Sequence, residues 1–309
     1  MAARRLAALR EAGGIELVGV ASTRLETARV LAGEAPAFDD YRRLTEVRPQ
    51  AVLIEIPHDV QDRAALWAVK RGWHLMLGGP LGRSPATARR LARAANARGL
   101  VIEAGFEARY KPVWETARAR IASGVLGELV AVEATALFPA DPASWYYNEA
   151  RSGGMPLTHM TYCFLNPLRW LLGEPGAIAA RANRLVRTGP GLVREETCAA
   201  LMTFPGGTVA SLTAGYVRSR EAGSWRVSLL GSRDSLEILP DESGPGRLLG
   251  SAGEETFPPH EDGFTRQAQA FLAAVAGDRS ACRNLPDEAI GDIIGAAAIA
   301  RSARRAAKG

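Results

Sequence analysis

The chain has 309 residues, of which 47% are hydrophobic and 23% are charged, a balance typical of a globular protein. No apolar run approaches the roughly 20 residues that cross a bilayer, and no secretion signal opens the chain, so we expect a cytoplasmic protein without a membrane partner. The net charge of +5 comes from basic residues that form no stripe with aromatics, which argues against nucleic acid as a partner.

The cysteines follow neither a metal-ligand pattern nor a disulfide pattern. Cys163, Cys198 and Cys282 are far apart in the sequence, and their number is odd. There is no CxxC pair and no cluster of His and Cys residues at the spacing of a zinc site. We therefore expect reduced thiols and no metal.

Short apolar runs alternate with amphipathic segments over the first hundred residues. The predicted helices are Ala3–Ala12, Leu25–Leu31, Val60–Arg71 and Pro85–Arg98, and the predicted strands are Ile15–Ala21, Ala51–Ile56, His74–Leu77 and Leu100–Ala104. Strands separated by helices indicate right-handed crossovers and a parallel sheet. We therefore predict an α/β domain over residues 1–106.

The pattern changes after Gly105, because long strands joined by short turns replace the alternation. The predicted elements are a helix over Val113–Ser123, a strand over Leu129–Leu137, an irregular segment over Pro139–Gly154, a helix over Pro156–Leu172, successive strands from Ala177 to about Phe257, and helices over Phe264–Ala276 and Pro286–Ala307. Short turns between strands favour antiparallel pairing. Residues 107–309 are thus predicted to form an α+β domain with a large, mostly antiparallel open sheet.

The chain opens directly on a helix. A dinucleotide-binding domain has a strand and a glycine-rich turn before that helix, and the strand lies in the middle of its sheet. Without it, two flanking strands would keep unpaired backbone groups. We expect either that the natural chain begins upstream of Met1 or that the protein has given up the nucleotide.

One signal for a cofactor lies at the end of the first predicted strand. Ser22, Thr23 and Arg24 stand where an acidic residue would bind the ribose of NAD. A small polar residue beside an Arg instead accommodates the 2′-phosphate of NADP. The alternative is that Arg24 is a solvated residue at the start of a helix.

Four segments in the same order carry a resemblance that extends over essentially the whole chain. They are RRLAALREAGGIELVGVAS, HLMLGGPL, GFEARYKP and GGMPLTHMTYCFLNPLRWLLGEP. The chain resembles the Gfo/Idh/MocA (glucose–fructose oxidoreductase/inositol dehydrogenase) family. This resemblance implies a Rossmann-like domain that binds NAD or NADP, and a C-terminal domain whose open sheet makes homodimer or homotetramer contacts. It also implies oxidation or reduction of a sugar, a cyclitol or a related small molecule.

Two departures from the family pattern concern its reactive residues. The family usually has a Glu-Lys-Pro tripeptide where this chain has Gly78, Gly79 and Pro80. The resemblance therefore places Gly79 and Pro80 beside the cofactor, but without the lysine. The family's Asp and catalytic His correspond to His159 and Cys163 here. A thiol among apolar residues is a poor base, because desolvation disfavours the thiolate.

Polar residues form a line on the predicted helix Pro156–Leu172. His159, Tyr162, Cys163 and Asn166 have the spacing of one helical face. We expect this face to line a crevice between the domains, with His159, Tyr162 and Cys163 as catalytic candidates and Asn166 as a substrate contact. The alternative is a line satisfied inside the core, with Cys163 as a small buried side chain.

The segment that joins the two predicted domains supplies further candidates. Lys111 could replace the missing tripeptide lysine as an electrostatic clamp, or it could be a surface residue with a solvated ammonium group. Glu107, Arg109 and Tyr110 belong to the same segment and are candidate substrate contacts.

The remaining candidates lie in loops. Pro57 and His58 follow a predicted parallel strand, at the edge where open α/β sheets bind ligands, so we predict a contact with the cofactor. The alternative is that His58 simply begins a helix. Trp145 and Tyr146 could stack on a sugar ring or anchor their loop to the core.

These observations favour an NAD(P)-dependent oxidoreductase acting on a small alcohol or carbonyl substrate, with His159 as its acid–base residue. Two alternatives stay open on the same scaffold. One is a lyase or epimerase that works without nucleotide. The other is a binding protein without catalytic activity, because a fold alone does not fix function.

Overall fold

The computed structural model describes residues 1–139, 141, 143–186, 191–219, 221–241, 246–257 and 263–307. Within them the α-helices are α1 (Ala2–Ala12), α2 (Leu25–Ala32), α3 (His58–Lys70), α4 (Pro85–Asn96), α5 (Pro112–Ala122), α6 (Glu149–Ser152), α7 (Asn166–Leu172), α8 (Gly263–Val275) and α9 (Pro286–Ala306). The strands are β1 (Val20–Ala21), β2 (Ala37–Phe38), β3 (Ala51–Ile54), β4 (His74–Leu77), β5 (Ile102–Glu103), β6 (Leu129–Pro139), β7 (Ile178–Asn183), β8 (Thr197–Thr203), β9 (Val209–Val217), β10 (Ser224–Gly231), β11 (Ser235–Leu239), β12 (Arg247–Gly250) and β13 (Gly253–Thr256).

The first part of the chain forms the expected parallel α/β layer, divided into two sheets. Strands β1 and β2 pair in one sheet, and β3, β4 and β5 pair in the order β3–β4–β5 in the other. The strand predicted over Ile15–Ala21 is shortened to Val20–Ala21, because β1 has a partner on only one side within the described residues. The Rossmann-like parallel architecture is confirmed.

The second part of the chain carries the large open sheet. Its strand order is β13–β12–β11–β10–β6–β9–β8–β7, and β6–β9 is the one parallel pair among the described strands of this sheet. Along β8, Cys198, Ala200 and Met202 are buried while the residues between them are exposed. This alternation shows that one face packs on the core and the other is open. The prediction of a mostly antiparallel sheet is confirmed.

The segment predicted as one α-helix over Pro156–Leu172 has two windings. Residues Pro156–Leu165 form a π-helix, which continues as α7. Gly153 and Gly154, with φ of 88° and 93°, turn the chain into it, a backbone conformation that glycine adopts without strain. A π-helix closes i→i+5 hydrogen bonds, so its turns are wider than those of an α-helix. Positions counted across both windings therefore do not keep one α-helical face.

A buried polar network fixes the end of this helix to α9. The carboxylate of Asp292, which is fully buried, accepts from Arg169 Nη1 at 2.5 Å and from Asn166 Nδ2 at 2.9 Å. Arg109, from the segment before α5, lies 4.0 Å from the same carboxylate. Since buried charges must be paired, this network holds the join between the two parts of the chain to the C-terminal helix.

We predict that Asp292→Asn lowers the free energy of unfolding by about 3 kcal/mol or more, because it leaves Arg169 and Arg109 without their buried counter-charge. Asp287→Asn, in the exposed first turn of α9, is the matched control and should change stability by under about 1 kcal/mol. Denaturant unfolding of the two variants measures the difference. Equal stability would contradict the role given to this network.

Candidate functional site

The segments that follow β3 and β4 approach the π-helix through a group of rings, and we name the region that these rings border the crevice. His58, which follows β3, contacts the rings of Trp145 and Tyr146 at centroid distances of 4.9 and 6.2 Å. Tyr146 in turn lies 5.3 Å from His159 on the π-helix. The structure thus brings His58, Trp145, Tyr146 and His159 together. Gly79, which follows β4, lies against the His58 ring.

His159 is a polar residue on the π-helix side of the crevice. Its Nε2 is 2.7 Å from the hydroxyl of Tyr216 on β9, and its ring packs 5.0 Å from Phe138 on β6. Burial among these rings, together with the nearby His58, lowers the pKa of His159 to about 4. Burial raises the pKa of Tyr216. At neutral pH the pair is therefore an uncharged imidazole beside a protonated phenol.

Partly exposed rings line the crevice around His159. Phe138, Trp145, Tyr146, Tyr162 and Trp225 form this aromatic wall, in which Trp225 lies 5.3 Å from Tyr162 and 6.1 Å from Phe138. The Nε1 atom of Trp225 has no hydrogen-bond partner among the described residues. The sequence analysis missed Phe138 and Trp225, because a strand pattern shows which face is buried but not which ring reaches a ligand.

The buried carboxylate of Glu107 gathers charged and polar groups at the base of the crevice. It is 1% exposed, accepts from Tyr162 Oη at 2.6 Å, and lies 3.7 Å from both Lys111 Nζ and Arg5 Nη2. Arg5 Nε is also 2.6 Å from Glu55. The sequence analysis missed Arg5, although a cation in the first turn of a helix is disfavoured by the helix dipole and is therefore a signal.

The surface alternative for Lys111 is wrong, because the residue is 0% exposed. Its ammonium donates to the carbonyl of Asp241 and lies 5.9 Å from the ring of Trp225. Lys111 therefore contacts the aromatic wall at Trp225 from the buried interior of the protein.

Four expected site residues do not line the crevice. Cys163 and Asn166 are fully buried, and Asn166 donates to Asn284 and Asp292, because the π winding turns it away from the face of His159. The single polar face predicted for this helix is therefore corrected. Arg109 and Tyr110 are also buried and bond to the structural groups Asn166 O, Arg283, Glu288 and Glu103. These contacts hold the short turn Glu107–Tyr110 to the C-terminal part of the chain.

The edge of β1 has the chemistry of a ribose-phosphate site. Ser22 is partly exposed, Thr23 and Arg24 are exposed, and Arg24 N donates to Ser22 Oγ at 3.2 Å. The guanidinium of Arg24 forms no ion pair within the described part of the chain, so it can meet a phosphate. These residues fit the ribose end of a dinucleotide. Pro57, Gly79 and Pro80 lie at the other end, where the crevice meets β3 and β4.

No helix among the described residues is both long and apolar enough to cross a membrane. No group of three or more His, Cys, Asp or Glu side chains in that part of the chain could hold a metal ion.

Two family profiles match the sequence. The profile described as "Oxidoreductase family, NAD-binding Rossmann fold" matches residues 1–106, and "GFO/IDH/MocA C-terminal domain" matches residues 114–237. The chain belongs to the Gfo/Idh/MocA oxidoreductase family. The resemblance carried by the four sequence segments is thereby confirmed.

Individual relatives of this Gfo/Idh/MocA member are distant. An uncharacterized oxidoreductase of Rhizobium meliloti is 26% identical over 85% of this chain and 82% of its own length. The dTDP-3,4-didehydro-2,6-dideoxy-alpha-D-glucose 3-reductase of Streptomyces violaceoruber is 28% identical over 88% of this chain and 81% of its own.

Solved structures share the fold. The aldose-aldose oxidoreductase from Caulobacter crescentus, complexed with glycerol, has a TM-score of 0.84 at 21% identity and covers 97% of this chain and 93% of its own. The WlbA dehydrogenase from Bordetella pertussis, in complex with NADH and UDP-GlcNAcA, has a TM-score of 0.79 at 17% identity and covers 99% and 94%.

The buried imidazole of His58 predicts that the folded protein loses stability in acid. Burial lowers the pKa of His58 to about 4 in the folded protein, whereas the unfolded side chain titrates near its ordinary value of 6.5. The unfolded state therefore binds the extra proton between these values, and stability falls as the pH drops from 6.5 to 4. The size of this loss is on the order of 3 kcal/mol.

The free energy of unfolding is measured for wild type and for His58→Phe at pH 7 and at pH 4. From pH 7 to pH 4 wild type should lose more stability than the variant, which has no imidazole to protonate. His74→Gln, at a more exposed position, is the control and should shift less. A constant difference between wild type and His58→Phe would show that the ring is not held neutral.

Proposed function

We propose that the protein is an NAD(P)-dependent oxidoreductase that interconverts a hydroxyl and a carbonyl group of a sugar, a cyclitol or a related small molecule. Membership of an oxidoreductase family with an NAD-binding Rossmann fold supports the reaction type. The observation that carries the proposal is the uncharged His159–Tyr216 pair inside an aromatic-lined crevice. The names of the relatives, which include a sugar reductase and an aldose oxidoreductase, support the substrate class.

In this proposal His159 moves the proton of the reacting hydroxyl. The neutral imidazole accepts the hydroxyl proton during oxidation and returns it during reduction, while Tyr216 fixes the orientation of the ring. Bound nicotinamide supplies or accepts the hydride. Ser22 and Arg24 hold the ribose-phosphate end of the cofactor, which favours NADP over NAD.

The aromatic wall orients the substrate. Sugar rings have apolar C–H faces that pack on aromatic rings, and Trp145, Tyr146 and Trp225 offer such surfaces. The buried charges offset each other, because Arg5 and Lys111 face Glu55 and Glu107. This balance suits an uncharged substrate.

We expect His159→Gln to lower kcat by about 100-fold or more, since a positioned acid–base group contributes at least that much. Cys282→Ala is the matched control, and its kcat should stay within about threefold of wild type, because this buried thiol belongs to the separate core cluster around Phe264 and donates to the carbonyl oxygen of Ala270. A panel of aldoses and cyclitols with NADP or NAD, followed by nicotinamide absorbance, measures both variants. Unchanged turnover in His159→Gln rules out the assigned base.

Arg24→Ala should weaken NADPH binding about tenfold and leave NADH binding nearly unchanged, because only NADPH carries the phosphate that the guanidinium meets. Arg29→Ala, on the same helix but paired with Glu26, is the control and should affect neither nucleotide. Calorimetric titration gives the four affinities. An equal loss for both nucleotides would remove Arg24 from the phosphate site.

Two further parts of the proposal concern assembly and the alternative chemistry. We propose a homodimer or homotetramer that uses the open face of the large sheet, where Leu201 and Val209 are 54% and 48% exposed. A lyase or epimerase on the same scaffold would turn over in nucleotide-free protein. The panel without added nucleotide distinguishes that alternative from the oxidoreductase.

A further inference from the structure

Two glycines follow β4 at the edge of the crevice, and neither is required by the backbone. Gly78 and Gly79 do not have positive φ, so other residues could adopt their conformation. Space is the constraint instead. A Cβ atom on Gly78 would lie 2.1 Å from the carboxyl carbon of Glu55, and one on Gly79 would lie 2.7 Å from Nε2 of His58. Side chains from the end of β3 therefore occupy the space above both glycines.

The imidazole of His58 is held in one orientation. Its Nδ1 is 2.9 Å from the carbonyl oxygen of Ser152, which can only accept, so Nδ1 carries the proton and donates. Trp145 and Tyr146 pack against the ring edge-on. With the proton on Nδ1, Nε2 of the neutral ring is a hydrogen-bond acceptor.

This acceptor has no hydrogen-bond partner among the described residues, although the side chain that carries it is largely buried. His58 is 4% exposed, and its only hydrogen bond within those residues is the one from Nδ1 to Ser152. The polar atoms of largely buried side chains are usually hydrogen-bonded, so an acceptor left unpaired at the edge of the crevice indicates a missing donor. Burial lowers the pKa of the ring to about 4, which keeps the lone pair available at neutral pH.

We propose that Nε2 of His58 binds a hydroxyl group of the ligand, and that Gly79 is glycine because any side chain there would cover this nitrogen. The proposal rests on the proposed function for the identity of the ligand. The hydroxyl belongs either to the nicotinamide-side ribose of the cofactor or to the polyol substrate. Both offer the same O–H donor, and separate arms of the test distinguish them.

The test compares two substitutions that differ only in which nitrogen of the ring they imitate. In His58→Asn the amide can still donate to Ser152, but nothing stands at the position of Nε2. In His58→Gln the longer side chain places an amide oxygen near that position. NADPH binding is measured by calorimetry in one arm, and the KM for the polyol in the other.

We expect His58→Asn to weaken one of the two ligands about tenfold and His58→Gln to recover most of the loss. Loss in the NADPH arm assigns the ribose hydroxyl, and loss in the polyol arm assigns the substrate. Gly79→Ala should reproduce the loss in wild type but add little in the His58→Asn background, where the ring that it displaces is gone. Folded His58→Asn protein with both affinities unchanged overturns the proposal.

A readout without turnover separates this proposal from the proposed function. The imidazole nitrogen resonances of His58 are recorded with NADPH, with myo-inositol and with glycerol added separately. A shift of the Nε2 resonance with any of them supports the hydroxyl site, even if no sugar is oxidised and the proposed function fails. If none of the three moves that resonance, the hydroxyl site is rejected, whatever the activity of the enzyme.

Discussion

The buried carboxylate of Glu107 is the interaction on which the crevice depends. It faces Arg5 from α1, Lys111 from the start of α5 and Tyr162 from the π-helix, so three distant parts of the chain meet at one group. A carboxylate in a poorly solvated interior is tolerated only with such partners, and removing one partner of a buried pair costs several kcal/mol. Helix α1, the segment from Glu107 to Lys111 and the π-helix are thereby fixed relative to one another.

This arrangement also decides which groups are left for a ligand. Arg5 and Lys111 form ion pairs with Glu55 and Glu107. Arg109 is paired with Asp292 of α9. What remains for a ligand is a set of ring faces and two uncharged imidazoles. Such a surface recognises a neutral molecule with both apolar faces and hydroxyl groups, which describes a sugar or a cyclitol.

Much of the fold followed from the sequence, because alternation of apolar residues and turn composition report on burial directly. The helices around β3 and β4, the change to antiparallel strands after Gly105 and the two closing helices lie within a few residues of their predicted bounds. The short strand β2 was missed, because two residues carry too little periodicity to be recognised. The site was less predictable. His58, Tyr146 and His159, each a candidate from the sequence, lie close together. Arg109 and Asn166 instead bond to α9, a contact between residues far apart in sequence that no local pattern contains.

The π winding of Pro156–Leu165 has a consequence for how residues are matched between relatives. Residues of the π-helix and residues of α7 do not share one angular register. The turn at Gly153 and Gly154 fixes the direction of His159, whereas the hydrogen bond to Asp292 fixes that of Asn166. A wider turn inside a helix acts like an inserted residue, since it rotates everything that follows. Counting residues along an uninterrupted α-helix would therefore assign a role to a residue on the wrong face of this helix. The π-helix and α7 have to be superposed on a relative separately.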